Sequence, residues 1–187
     1  MMKGTPHSTW KKMLMRKEAM TLLLVLIMAC ILLFSSEYFL NLTNLESLQT
    51  SIAPSSIIAI GMMVLLVTGM FDLSVGSIMG LSGVVTAIFL TFNVPVPIAI
   101  LLGLLCGTLL GLVNGLLIAV AGVNPLITTI GMMYVARGIS EVLLVGKGRE
   151  GYRNFSQSFI HLGTGKFLGI YYMFWVMLVL LILTQLY

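Results

Sequence analysis

Charged residues are scarce in this sequence of 187 residues, where Asp, Glu, Lys and Arg together make up 9%. A soluble domain holds about a quarter charged residues, which surround its apolar core. With 59% hydrophobic residues and a mean hydropathy of +1.09, this chain has no polar shell of that kind. The composition therefore excludes a soluble domain and predicts an integral membrane protein.

Cysteine and histidine are also rare, with two of each. Cys30 and Cys106 lie in separate apolar runs and are expected to act as small hydrophobic residues. His7 and His161 lie far apart in the sequence, so we expect no metal site and no catalytic constellation. The net charge of +4 comes from basic residues concentrated at the amino terminus and in one loop, a distribution that does not suit nucleic acid. The chain is thus predicted not to be an enzyme and to carry no cofactor.

Long apolar runs are abundant instead. A helix rises 1.5 Å per residue, so roughly 17 to 25 apolar residues cross the ~30 Å hydrocarbon core of a bilayer. The runs that fit this length are Met20–Ser36, Ile52–Met70, Val75–Phe92, Pro97–Ala121, Leu126–Val145 and Gly169–Tyr187. The predicted fold class is all-α, a polytopic membrane helix bundle of about six transmembrane helices.

Polar and proline-containing stretches separate these runs. "NVPVP" divides the third run from the fourth, and in "VNPLIT" Asn124 is predicted to cap a helix that begins at Pro125. After the first run, "EYFLNLTNLESLQTS" is predicted to form a short helix at the outer face, with capping-box spacing between Thr43 and Glu46.

The distribution of basic residues predicts the orientation. Five of them precede the first run: Lys3, Lys11, Lys12, Arg16 and Lys17. By the positive-inside rule, residues 1–19 form a cytoplasmic segment, and after five spans the loop 146–168 is external although it is also basic. The transmembrane domain then occupies residues 20–187, and it is expected to be incomplete because the last run has no polar flank.

Asp72 in "GMFDLSVGSIMG" is the only formally charged residue between Glu46 and Arg137. An ionisable group at membrane depth is costly unless it is capped, paired or hydrated. Asp72 and Ser74 precede a helix and can accept hydrogen bonds from its first amides. Two interpretations stay open: a charged cap at a bilayer boundary, which we favour, and a break inside the bilayer that lines a cavity.

Other features could serve packing or a solute pathway. The fourth run carries a glycine strip at four-residue spacing, which predicts close helix packing: Gly103, Gly107, Gly111 and Gly115. Asn114 lies beside the strip and could form an interhelical hydrogen bond or contact a solute. Arg137 lies four residues before Glu141, so the two side chains could form an ion pair along one face of the helix. The alternative is that Arg137 belongs to a solute pathway or a gate.

Two segments, "LLVTGMFDLSVGSIMGLSG" and "GLVNGLLIAVAGVNPLITTIGMMYVARG", resemble the permeases of ribose-type ABC importers, which also handle autoinducer-2 and other simple sugars. The most specific element is Asp72–Ser77. The family usually has two glycines and an aliphatic residue before the aspartate, whereas this chain has Gly69, Met70 and Phe71. Members of that family are longer than this chain, so the resemblance implies the amino-terminal half of a permease in a bacterial inner membrane.

The resemblance also implies partners. They are a second permease subunit, cytoplasmic ATP-binding subunits that carry ATP and Mg, an external solute-binding protein and membrane lipid. The external basic loop would then dock the binding protein, or be merely solvated. Two alternatives share the fold: half of a secondary transporter or channel, in which Asp72 and Arg137 would be coupling residues, and an inactive truncated permease.

Overall fold

The computed structural model of the chain describes residues 17–146, 152, 153 and 155–185. In these residues the chain forms seven α-helices and one two-stranded antiparallel ribbon. The helices are α1 (Lys17–Ser35), α2 (Leu42–Val67), α3 (Val75–Thr91), α4 (Val96–Ala119), α5 (Pro125–Leu144), α6 (Gln157–Thr164) and α7 (Tyr172–Gln185), and the strands are β1 (Lys166–Phe167) and β2 (Ile170–Tyr171). The predicted all-α fold is confirmed, while the segment 1–16 lies outside the described residues.

Each of the six predicted spans coincides with a helix. In the described part of the chain, α2, α4 and α5 are long and apolar enough to cross a membrane, and α1, α3 and α7 are shorter apolar helices. The sixth span starts later than predicted, because Leu168 and Gly169 both have positive φ and form the turn of the ribbon. The chain therefore reverses direction before α7 begins.

The chain divides into two compact units, residues 1–48 and 49–187. In the first unit, Asn41 Oδ1 accepts a hydrogen bond of 3.3 Å from the Thr43 amide at the start of α2. The predicted separate outer helix is wrong, since α2 runs from Leu42 through the polar stretch without a break. The helix accommodates such residues because their hydroxyls bond back to its own carbonyls, as Ser47 Oγ does to Thr43 O at 2.9 Å.

The packed part of the second unit consists of α3, α4 and α5, and α3 contacts both of the others. Proline shapes one of the helix starts, since α4 follows Pro95 directly. The predicted cap of α5 is confirmed: Asn124 Oδ1 accepts from the amides of Leu126 at 2.9 Å and Ile127 at 3.4 Å. The buried residues are mostly small, whereas large side chains such as Leu104 are exposed, as suits a surface that faces lipid.

The two-stranded ribbon before α7 is held by hydrogen bonds to α7, which follows it in sequence, and to α2. Trp175 Nε1 donates to Phe167 O at 3.1 Å, and the Tyr171 amide donates to Gln49 Oε1 at 3.1 Å. Lys166 Nζ lies 4.8 Å from the centre of the Tyr171 ring. The predicted external loop thus contains ordered structure, although its residues 147–151 and 154 lie outside the described part.

The predicted orientation can be tested by thiol labelling in a background that lacks Cys30 and Cys106. Ser158→Cys is a suitable external probe because Ser158 is exposed and, unlike Ser156, does not cap α6. We expect it to react with a membrane-impermeant maleimide in intact cells, and Ser8→Cys to react only after the cells are permeabilised. The opposite pattern would invert the topology.

Candidate functional site

Asp72 lies in the connection between α2 and α3, where it closes a turn onto Ser74. Its Oδ1 accepts the Ser74 amide at 2.7 Å and the Ser74 hydroxyl at 2.6 Å. Ser74 is the residue before α3 and adopts helical dihedral angles, and its side chain accepts no hydrogen bond from the first turn. Of the two predicted cap acceptors, Asp72 thus accepts one backbone amide at the helix entrance, and Ser74 accepts no backbone amide of the first turn.

Ser74 and Asn114 connect this turn to α4 inside the protein. Ser74 is fully buried, Asn114 is 4% exposed, and Asn114 Nδ2 donates to Ser74 Oγ at 3.0 Å. Because the Ser74 hydroxyl proton already points at Asp72, its oxygen can only accept, which fixes the amide nitrogen of Asn114 on this side. Asn114 Oδ1 is buried and has no hydrogen-bond partner in the described part of the chain.

These contacts place the start of α3 away from the ends of its neighbours. Beyond Asn114, α4 continues for about one and a half turns, or about 7 Å. Gly76 and Ser77 in the first turn of α3 line the same groove as Arg137, which lies about 18 Å from the start of α5. The first turn of α3 is therefore flanked by both neighbouring helices.

A cavity of about 210 Å³ opens beside this turn. Asp72, Asn114 and Thr129 bring polar side chains to it. Apolar residues and glycine form the rest of its wall: Leu65, Met70, Phe71, Gly111, Gly115, Ile118 and Ala119. Thr129 is 1% exposed, and its Oγ1 donates to Leu126 O at 3.4 Å. In the sequence, Thr129 was notable only as part of "TIG", one element of the family resemblance, because its burial depends on how α5 packs.

Arg137 lies apart from this cluster. Its Nε is 3.4 Å from Glu141 Oε1, and both side chains are about 70% exposed, at 70% and 72%. The pair lines an open groove of about 360 Å³ between α3 and α5, together with Gly76, Ser77, Gly80, Val84, Ser140 and Leu144. The ion pair that the four-residue spacing predicted is thus present. Of the four candidate polar residues, Asp72, Ser74 and Asn114 are joined by hydrogen bonds, whereas Arg137 is not part of that cluster.

The two halves of the glycine strip on α4 have different surroundings. A Cβ at Gly103 would meet Thr86 Oγ1 and lie 2.7 Å from Ser82 O, and a Cβ at Gly107 would lie 2.8 Å from Ser82 Oγ. A Cβ at Gly111 or Gly115 would meet nothing within 4 Å. The close approach predicted for the whole strip is thus present against α3 only at its first two positions, and the last two line the cavity.

Metal-binding side chains do not cluster in the described residues, where no three of His, Cys, Asp and Glu are placed to hold an ion. What the cavity offers instead is hydrogen-bonding oxygen atoms: a carboxylate, an amide oxygen and a hydroxyl. Such a set can orient a small polar molecule.

Removal of the Ser74 hydroxyl should destabilise the protein, because Asn114 Nδ2 would be left buried without an acceptor. We expect Ser74→Ala to lower the free energy of unfolding by about 1–3 kcal/mol. Ser55→Ala is the matched control: the Ser55 hydroxyl is exposed and bonds only within its own helix, so a change within about 0.5 kcal/mol is expected. The thermal unfolding midpoints of the purified proteins in detergent measure both effects, and equal midpoints would contradict the role of the Ser74 hydrogen bonds.

The apolar helices and the helical fold define a multi-pass α-helical membrane protein. The sequence profile of the branched-chain amino acid transport system / permease component family matches residues 44–187, so the chain belongs to that family. Membership of this permease family and the three long apolar helices of the described residues support a location in a bacterial inner membrane.

Several curated proteins are similar to this chain. An L-arabinose ABC transporter permease protein of Azospirillum brasilense is 40% identical over 137 residues, covering 73% of this chain and 40% of the relative. A galactose/methyl galactoside import permease protein of Escherichia coli is 33% identical, covering 79% and 50%, and a ribose import permease protein of Haemophilus influenzae is 31% identical, covering 82% and 48%. The chain thus spans about half the length of these relatives or less. No solved structure gives a significant match.

Proposed function

We propose that this chain is part of the permease subunit of an ATP-binding-cassette importer that moves a monosaccharide or a similar small polar solute into the cell. The observation that carries the proposal is its family membership, together with relatives named as arabinose, galactose and ribose permeases. The buried polar cluster at the start of α3 supports it, because polar and ionisable groups inside membrane bundles often mark solute pathways.

In this proposal the cluster of Asp72, Ser74 and Asn114 lies within the bilayer and lines the pathway. Both α4 and α5 flank the first turn of α3, and α5 has 20 residues, about the 30 Å needed to cross the hydrocarbon core. If both helices cross the membrane, α3 starts at membrane depth. This geometry supports a break inside the bilayer over the boundary cap that the sequence favoured.

Arg137 and Glu141 are proposed to act at a gate, since they lie at the open groove between α3 and α5 rather than in the cavity. Charged side chains inside a membrane domain are expected to face water or a partner subunit, because exposure to lipid is costly. Both side chains are exposed in the single chain, which fits a position on such a surface.

The proposed partners follow from the ABC importer class. A second permease subunit would complete the pathway, cytoplasmic ATP-binding subunits would hold ATP and Mg, and an external solute-binding protein would deliver the sugar. The loop 146–168 would meet the binding protein, and basic residues such as Arg153 and Lys166 would steer the encounter. Hydrolysis would take place on the ATP-binding subunits, and this chain would supply the passage.

The energy source of uptake tests the proposal against a secondary transporter or channel half. In cells that carry the natural locus, uptake of a labelled monosaccharide should persist when an uncoupler collapses the ion gradients and stop when ATP is depleted. An ATP-binding subunit should also copurify with a tagged form of this chain. Uptake that stops with the uncoupler while ATP remains would favour the secondary transporter, and no uptake under any condition would favour an inactive permease.

A further inference from the structure

The polar atoms around the cavity at the start of α3 are hydrogen-bond acceptors. Both hydrogen bonds of the Asp72 carboxylate in the described part of the chain are made by Oδ1, which leaves Oδ2 available. Asn114 Oδ1 is buried without a partner there, and one of the two Nδ2 protons is donated to Ser74 Oγ. The Thr129 hydroxyl proton is directed at Leu126 O, so its oxygen can accept. A molecule that enters the cavity therefore meets acceptors that need donors.

The cavity is also open enough to hold such a molecule. Its volume of about 210 Å³ exceeds the 10–15 Å³ that one ordered water needs. Gly111 and Gly115 keep the α4 side of the wall flat, since a Cβ at either position would find nothing within 4 Å. A buried amide oxygen without a donor is unfavourable, so a hydroxyl group from outside would satisfy Asn114.

The charge of the site disfavours anions. Asp72 is the charged residue of the cavity wall, and it lies at the positive end of the α3 dipole, where it offsets the attraction that a bare helix start would exert on an anion. Arg137 lines the separate groove and is paired with Glu141, so it does not supply a positive charge to the cavity. A negatively charged solute would meet the like charge of the partly buried Asp72 carboxylate, and the repulsion between the two is stronger there than in bulk water.

We infer that the cavity between Asp72, Asn114 and Gly115 is a hydrated binding site for neutral, hydroxyl-bearing solutes, and that Asp72 makes it reject anionic ones. This deepens the proposed function by a substrate class, since sugars would fit and sugar phosphates or carboxylates would not. The charge selectivity itself can be measured without transport.

Thiol modification in membrane vesicles tests the inference. In a background with Cys30→Ala and Cys106→Ala, Gly115→Cys places a thiol in the cavity wall. Its reaction rates with a cationic, a neutral and an anionic methanethiosulfonate are each divided by the rate with free 2-mercaptoethanol. We expect the cationic reagent to react at least about tenfold faster than the anionic one, and Asp72→Asn to bring the two rates within about twofold.

One control and one further test accompany this measurement. Leu109→Cys on an exposed face of α4 should react with none of the reagents, because a thiol in lipid does not ionise. D-Ribose in excess should slow the reaction of Gly115→Cys with the neutral reagent, whereas D-ribose 5-phosphate, which differs by its charged group, should not.

Three results would overturn the inference: no reaction at Gly115→Cys, a rate ratio that does not depend on Asp72, or equal protection by both sugars. These failures are distinct from failure of the proposed function. ATP-driven uptake by an importer whose cavity is inert would refute the inference alone, and gradient-driven uptake with the expected rate ratio would refute the importer alone.

Discussion

Asp72→Leu is expected to lower the folded yield of the protein sharply, whereas Asp72→Asn should leave it close to that of the parent. Leucine would leave the Ser74 amide and hydroxyl without their acceptor, and these groups lie in a fully buried residue. Each buried polar group that loses its partner costs about 1–3 kcal/mol. Asparagine keeps an acceptor oxygen in the same position, so only the charge is lost, at a cost of about 1 kcal/mol or less.

Size-exclusion chromatography of the solubilised protein measures this difference as the fraction that elutes as a single species. Glu141→Leu is the matched control, because it removes a carboxylate from an exposed pair that binds no buried group. Yields of Asp72→Leu equal to those of Glu141→Leu would mean that the turn at Ser74 does not need its acceptor.

Uptake by the complete importer separates the two roles of Asp72. Asp72→Asn should fold normally and reduce ATP-driven uptake if the charge acts in the pathway, and should transport normally if the residue is only a cap. The location of Asp72 in the cavity wall leads us to expect the reduction. Normal uptake and normal yield for Asp72→Leu would exclude both roles.

The sequence predicted the helices because their causes are local. Apolar runs of spanning length became helices, and the turns at "NVPVP" and "VNPLIT" formed where proline and asparagine favour a helix start. The helix boundaries that were predicted wrongly lie where a polar segment is helical or an apolar segment is not. The start of α2 is polar and still helical, and Gly169–Tyr171 is apolar but belongs to a ribbon.

The site was predicted as separate residues and could not be predicted as a cluster. Asp72, Ser74 and Asn114 were each conspicuous as polar groups in apolar surroundings, but their contact depends on the register between α3 and α4. Hydrophobic periodicity carries little information about that register, because α3 and α4 are apolar on all sides. Because the register between α3 and α4 could not be predicted, the different surroundings of Gly103 and Gly107 on one side and Gly111 and Gly115 on the other could not be predicted either.

That difference leads to a graded expectation for substitutions along α4. Gly103→Ala should be the most destabilising, by about 1–3 kcal/mol, since its Cβ would overlap the Thr86 hydroxyl and the Ser82 carbonyl, which are hydrogen-bonded to each other. Gly107→Ala should cost less, because the nearest atom is the Ser82 hydroxyl, which has no partner in the described residues and can rotate away. Gly111→Ala should be neutral or stabilising by up to about 1 kcal/mol, because alanine favours the helix and meets nothing.

The same order should hold, with larger effects, for leucine at these positions. A long side chain at Gly103 or Gly107 would separate α3 from α4, and the contact between these two helices is the most extensive one among the described residues. At Gly111, leucine would instead extend into the cavity and should fold while it blocks the modification of Gly115→Cys. Leu109→Ala on the exposed face of the same helix controls for the loss of an apolar side chain without a packing partner. Thermal midpoints of the purified variants give the order, and a Gly103→Ala protein as stable as Gly111→Ala would mean that α3 and α4 do not approach closely at Gly103.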